Sequence, residues 1–176
     1  YDYRREWLRL AGELGERGQG QTRFNVVIKA FANLVDARAG MLWLRNDRSQ
    51  YRSAASWNMQ TVDVAEPASS PFIRFLADTG FVINVPELAS HPDEYRDLTL
   101  PDWLAGVQRP WLIVPLFGFG ELIGYVILAN PLVVRSINWE DRDLLIAAAK
   151  QVSSHLTVLM TSDELAEARQ FEVFNR

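Results

Sequence analysis

Residues Arg109–Pro131 read RPWLIVPLFGFGELIGYVILANP, the longest stretch of the chain in which strand-length apolar runs follow one another directly. Trp111–Phe117 and Glu121–Ala129 are two apolar runs of strand length, joined by Gly118-Phe119-Gly120, a three-residue loop with glycine where a positive φ is needed. They predict a hairpin at the centre of a sheet. A strand with one wet face alternates apolar and polar residues. Here Leu112, Val114 and Leu116 on one face are matched by Trp111, Ile113 and Phe117 on the other, which predicts cover on both faces. Gly124 in mid-strand predicts close approach of another backbone or a ligand, and Pro115, which cannot donate to a ladder, predicts a bulge.

Upstream, Gly40–Arg45 and Tyr51–Trp57 are strand candidates joined by the polar turn 46–50, a second hairpin. Before them, Phe24, Val27, Ile28, Phe31 and Leu34 recur at helical spacing behind Thr22 as N-cap, which makes an apolar face wide enough to lie on a sheet. Residues 58–68 lack periodicity and read as a loop. Ser70 as N-cap, Pro71 at the first helical position and Gly80 past the end bracket a helix over Phe72, Phe75 and Leu76. Phe81–Val85 is a short strand ended by Pro86. The stretch 86–108 is then a long loop with one helical turn at Pro101-Asp102-Trp103-Leu104, and loops of that length are usually lids, binding segments or linkers.

Downstream, Asn138 is a good N-cap for a helix with Glu140, Asp141 and Asp143 in its first turns, where the helix dipole favours them. No proline or glycine interrupts it before Arg176, so it would reach about 57 Å at about 1.5 Å per residue, more than a domain of this size can cover. Leu145, Val152, Leu159, Ala166 and Val173 recur every seven residues, and Ala149 and Leu156 widen the stripe. We expect the first half to pack on the sheet and the part from about Thr161 to form a parallel dimer stalk. At the other end, Trp7, Leu10, Ala11 and Leu14 make a narrow helical stripe, followed by a flexible break at Gly15, Gly18 and Gly20. The plan is therefore α+β: 1–20 an N-terminal helix and linker, a domain from 21 to 160 with an antiparallel sheet of about five strands flanked by helices, and 161–176 the start of a coiled-coil stalk.

The 176 residues are 48% hydrophobic with a net charge of -4 and a pI near 5.2. That acidic balance, without any Lys/Arg cluster, argues against a nucleic-acid or anionic membrane surface as partner. The absence of cysteine removes disulfides, thiolate metal sites and thiol nucleophiles. No apolar run is long enough to span a bilayer. The chain starts without Met and ends inside a continuing helix, and we expect it to be a piece of a longer protein.

The runs Trp111–Leu116, Leu122-Ile123-Gly124-Tyr125 with Leu128, and Ala39–Leu44 resemble core strands of GAF domains, a fold related to the PAS sensor modules; the resemblance covers residues 21 to about 160. Asn138–Leu145, Gln151-Val152 and Glu167–Arg176 resemble the junction between GAF domain and kinase in the PrsK family, sensor histidine kinases of the PEP-CTERM exopolysaccharide system. Pro101–Leu104, Tyr3-Arg4 and Glu6-Trp7-Leu8 are similar to that family too. The resemblance implies a cytoplasmic, homodimeric sensory module of a bacterial inner-membrane protein. Its membrane region would precede this chain, and its kinase core, which signals to a response regulator, would follow it. The alternative is a small-molecule-binding GAF domain of a regulator without a kinase.

Catalytic chemistry finds little support. His91 precedes proline in a polar loop and His155 lies in the long helix, neither with metal-ligand spacing, and Gly118-Phe119-Gly120 has the spacing of a hairpin turn and not of a phosphate cradle. No metal, catalytic residue or obligatory cofactor is expected. A small-molecule pocket is the remaining site hypothesis. GAF domains often hold a ligand between the sheet and the middle connections, and here Trp57, Phe72, Phe75, Tyr95, Trp103 and Trp111 are the candidate lining residues. The competing reading is that these rings fill the core. Leu145, Val152, Leu156, Leu159, Ala166 and Val173 are the candidate dimer and signalling stripe.

Overall fold

The computed structural model of the chain describes the backbone of residues 20–133 and 135–174 and the side chains of 23–133 and 135–158. The stripe Trp7, Leu10, Ala11 and Leu14, the glycines at 15 and 18, and the side chains of Leu159, Ala166 and Val173 lie outside the described residues. In chain order the elements are α1 (Gly20–Val35), β1 (Ala37–Arg45), β2 (Gln50–Trp57), β3 (Glu66–Pro67), α2 (Pro71–Thr79), β4 (Ile83–Asn84), α3 (Val85–Ser90), a 3-10 turn (Pro92–Tyr95), α4 (Asp102–Ala105), β5 (Pro110–Gly118), β6 (Glu121–Pro131) and α5 (Trp139–Phe174). The strands form one antiparallel sheet in the order β3-β2-β1-β6-β5-β4.

The hairpin pairs from Pro110 opposite Ala129 to Gly118 opposite Glu121. Only Phe119 and Gly120 remain in the turn, both at positive φ (55° and 74°), so this is a two-residue primed turn and not the expected three-residue loop. Gly118 belongs to the strand, where a Cβ would strike Thr157 and Ile123. Pro115 pairs with Tyr125 in regular register, and the irregularities flank it, at Pro110/Leu112 and Leu116/Phe117. The predicted bulge at Pro115 is thus misplaced. On its other edge β5 is paired only at Leu112 and Ile113, so a proline facing that edge costs no ladder bond. Gly124 is explained by a backbone: a Cβ there would overlap the Trp43 carbonyl oxygen of β1.

Both sheet faces are covered, as the non-alternating strands predict. On one side α1 and α5 pack Val27, Ile28, Phe31, Leu145, Val152 and Leu156 onto Leu42, Leu112, Val114, Val126 and Leu128. On the other, α2, α3, the 3-10 turn and α4 bring Phe72, Leu76, Leu88, Tyr95 and Leu104 onto Met41, Trp43, Ile113, Tyr125 and Ile127. Phe117, expected under cover, is 38% exposed, because the shift after Leu116 rotates it outward.

Several local expectations need correction. Among the described residues the sheet has six strands where about five are expected, the additional one being Glu66–Pro67 within the supposed loop 58–68; two residues are too few to show alternation. Helix α1 begins at Gly20, so Thr22 lies in its first turn and is not the cap. Glycine costs little there, where the N–H groups have no helical partner anyway. The short strand is Ile83–Asn84 and not Phe81–Val85, because Asn84 already caps α3, with Pro86 in its first turn: Asn84 Oδ1 accepts from the Glu87 N–H at 3.2 Å. The "loop" 86–108 therefore holds three short helical turns. The bracket on α2 is as expected, with Ser70 Oγ accepting from the Ile73 N–H and Gly80 at φ 67°. So is the start of α5: Asn138 Oδ1 accepts from the Asp141 N–H at 2.8 Å, and Asp141 Oδ2 accepts from the Asn138 N–H at 3.1 Å.

Candidate functional site

Register places Ser53, Trp43, Tyr125 and Pro115 in one row across four strands. Trp43 and Tyr125 face the α2 side, and directly opposed residues share a face. The row lies beneath the short helices. Trp43 and Tyr125 are fully buried and stacked with centroids 5.8 Å apart. Trp103, delivered by α4, stacks on Trp43 at 4.3 Å and 19°. Phe72 from α2 meets Tyr125 edge-on at 5.3 Å and Trp103 at 6.5 Å. Gly124 helps set this arrangement: without a side chain it lets β1 close on β6 just where Tyr125 opposes Trp43.

The polar atoms of the row and of the side chains around it are unevenly satisfied. Trp103 Nε1 donates to Glu66 Oε2 at 2.6 Å, the carboxylate being buried and presented by β3. Tyr51 donates to the Leu122 carbonyl at 2.7 Å. Trp43 Nε1, the Tyr125 hydroxyl and Ser53 Oγ are buried without any partner, which native interiors rarely leave. Burial pushes the Tyr125 phenol well above its ordinary pKa, and the nearby Glu66 and Tyr51 push in the same direction.

A second polar cluster joins this layer to α5. Arg142 donates through Nη1 to the Val82 carbonyl at 2.9 Å and through Nη2 to both Glu87 carboxylate oxygens at 3.2 and 3.3 Å and to the Tyr95 hydroxyl at 3.3 Å. Tyr95 in turn donates to Glu87 at 3.0 Å, accepts from the Asn84 N–H at 3.1 Å, and lays its ring 6.1 Å from Phe75. Burial raises the Tyr95 pKa, against the opposing pull of Arg142. Beside the cluster, an open groove of about 390 Å³ runs between α3 and the β6–α5 connection, lined by Glu87, His91, Glu94, Trp111 and Arg135 among others. Among the described residues no group of three or more His, Asp or Glu could hold a metal ion.

Of the six candidate pocket residues, Phe72, Phe75, Tyr95 and Trp103 come together on the α2 side of the sheet. Trp57 and Trp111 do not join them: both pack with the α1/α5 cluster, Trp111 because the irregularity after Pro110 turns it to the side of Leu112. Sequence reasoning missed Trp43, Tyr51, Ser53, Glu66 and Tyr125. One signal for them was present: Trp43 and Tyr125 carry polar atoms inside otherwise aliphatic strands. Leu145, Val152 and Leu156 are packed inside the domain, which leaves Trp139, Ile146 and Val158 as outward apolar residues of α5.

Residues 19–156 match the family profile described as the GAF domain. Comparison with curated protein sequences finds no match. Among solved structures, the chain is similar to the GAF domain of a phosphoenolpyruvate-protein phosphotransferase from Coxiella burnetii, with 14% identity and a TM-score of 0.70 over 93% of this chain and 97% of that one. It is also similar to residues 122 to 287 of a methyl-accepting chemotaxis protein (17% identity, TM-score 0.63, covering 84% and 94%). A third similar structure is the chromophore-binding domain of the Stigmatella aurantiaca bacteriophytochrome (14% identity, TM-score 0.62, covering 88% and 60%). At these identities the likeness is one of fold.

Proposed function

This chain belongs to the GAF family of signalling and sensory modules, and on that premise we propose that it is the cytoplasmic sensory and dimerisation module of a sensor histidine kinase of the PrsK type. Its GAF core biases α5, and α5 carries that bias to a kinase core beyond Arg176. The observation that carries the reading is the Arg142 cluster. It fastens the first turns of a 36-residue helix to Val82, Glu87 and Tyr95, so a change in the layer over the sheet has a physical route to the helix. In this reading the small-molecule site lies between the sheet and that layer, and a second copy joins through the distal part of α5. No helix among the described residues is long and apolar enough to cross a membrane.

Analytical ultracentrifugation of the chain with and without residues 162–176 tests the dimer. A concentration-dependent dimer that weakens on truncation is expected, and a strict monomer in both cases overturns it. The parent sequence after Arg176 tests the kinase: a helix bearing a phospho-accepting histidine is expected, and a DNA-binding or ATPase module would overturn it.

A further inference from the structure

The groove between α3 and the β6–α5 connection is floored by two side chains that are buried without being satisfied. Trp111 keeps 2% of its surface exposed and Asn84 6%, and both line the groove. Asn84 Oδ1 is taken by the Glu87 N–H, which fixes the amide and leaves its NH2 without a bond; the Trp111 indole N–H has no partner either. Neither nitrogen is sealed off as Trp43 Nε1 is: each stays open to the groove that its residue lines. Asn84 opposes Leu112 across β4 and β5, and opposed residues share a face; Leu112 and Trp111 both pack with α1 and α5. The two donors therefore lie on the α5 side, at the β4 edge of the sheet, and not on the side where the short helices cover Trp43 and Tyr125. Above this floor the walls differ in charge. Glu87 and Glu94 stand on one side and Arg135 on the other. Glu87 is held by Arg142, and Arg135 by Asp141 at 2.9 Å, whereas the Glu94 carboxylate has no partner among the described residues.

Two nearly buried N–H donors beside an arginine call for acceptor oxygens, yet a simple anion there would face two carboxylates across the groove. A molecule carrying both charges answers both walls. We propose that this groove binds a small zwitterion of the α-amino acid class, its carboxylate accepting from the Trp111 and Asn84 N–H groups with Arg135 beside them, and its ammonium directed to Glu94. The volume of about 390 Å³ leaves room for a side chain as well. This site goes beyond the sensory reading, whose ligand lies on the opposite face of the sheet, and does not depend on it. Glu87, which holds Arg142, lines the same groove, so an occupant bears on the joint at the start of α5.

The test titrates the common L-amino acids one at a time into the isotope-labelled 1–176 chain and follows the indole N–H resonances, each assigned through bonds to its own backbone. At least one amino acid should shift the Trp111 indole resonance and leave those of Trp43 and Trp103 in place. For that amino acid, the N-acetyl derivative, which lacks the ammonium, and the carboxamide, which lacks the carboxylate, should each bind at least tenfold more weakly, as loss of a charge-assisted bond requires. Glu94→Gln should weaken the amino acid by about tenfold and leave the N-acetyl derivative unchanged; Arg135→Gln should weaken the amino acid and leave the carboxamide unchanged. Both substituted residues are exposed, so these variants should fold as the parent chain does. Asn84→Asp keeps the capping oxygen, removes the NH2 and should weaken the amino acid in the same way. The proposal is overturned if none of the amino acids moves the Trp111 resonance at about 10 mM, if both derivatives bind as tightly as the parent compound, or if binding shifts Trp43 and Trp103 instead of Trp111. That last result would place the ligand under the short helices and favour the sensory reading, and none of these outcomes alters the sedimentation or downstream-sequence tests.

Discussion

Replacing Arg142 by Met keeps most of the aliphatic stem and removes the guanidinium, which isolates the polar link between α5 and the layer over the sheet. The guanidinium makes one short bond to the Val82 carbonyl, at 2.9 Å, and three longer ones to Glu87 and Tyr95, at 3.2 to 3.3 Å. Hydrogen bonds to a charged group contribute about 1.5–3 kcal/mol each when well made. The longer ones count for less, because Arg142 and Glu87 keep 28% and 29% of their side-chain surface in solvent, where water can replace the lost partner. Two effective bonds at the low end give a loss of about 2–3 kcal/mol, or about 5–10 °C in Tm for a domain of this size. Urea unfolding should show a lower midpoint at unchanged slope. A double-mutant cycle with Glu87→Gln should return a coupling of about 1 kcal/mol that shrinks with added salt. Hydrogen exchange should rise both in the first turns of α5 and in residues 84–95. A loss under about 0.5 kcal/mol, additive with Glu87→Gln and without altered exchange in α5, would refute the view that this cluster couples the two elements.

Three further outcomes follow from the packing and the buried phenols. Gly124→Ala sets a methyl group against the Trp43 carbonyl oxygen and should destabilise by about 3 kcal/mol through forced separation of β1 and β6; a midpoint within error of the parent chain would contradict the register. Tyr125→Phe removes a buried hydroxyl that has no partner, so its unfolding free energy should stay the same or rise by up to about 1 kcal/mol, where a satisfied tyrosine would lose that much. Above pH 10 stability should fall: the folded-state pKa values of Tyr51, Tyr95 and Tyr125 are raised above 10.0, so the unfolded chain releases phenolic protons first and is favoured as pH climbs. Phenolate absorbance should show these tyrosines ionising with the unfolding transition, and independent early titration of all tyrosines would argue against their burial.

Wherever a signal is local, residue order was enough. The Ser70-Pro71 and Gly80 bracket, the reciprocal cap of Asn138 and Asp141, the amphipathic face of α1 and the two-sided apolar hairpin are properties of short windows, because caps and periodicities are made by residues a few positions apart. The reading fails where one element's behaviour depends on another. Phe119 takes a positive φ in the turn because Gly118 is claimed by the strand, where Thr157 of α5 leaves no room for a Cβ. Trp111 and Trp57 looked equivalent to Trp103 as pocket aromatics, yet a strand irregularity and a sheet face separate them.

The candidate site shows the same division. A mixed α+β domain with a long terminal helix is written in spacing and composition alone. That Ser53, Trp43 and Tyr125 share a row, with Glu66 from a two-residue strand at hand for Trp103, depends on pairing registers between residues up to 82 positions apart in the chain, Trp43 and Tyr125. A shift of one residue would turn those side chains to the opposite face, and nothing in a short window distinguishes the two arrangements. The register is chosen by which face each apolar set can bury against α1, α5 and α2, a decision taken only when the whole chain packs.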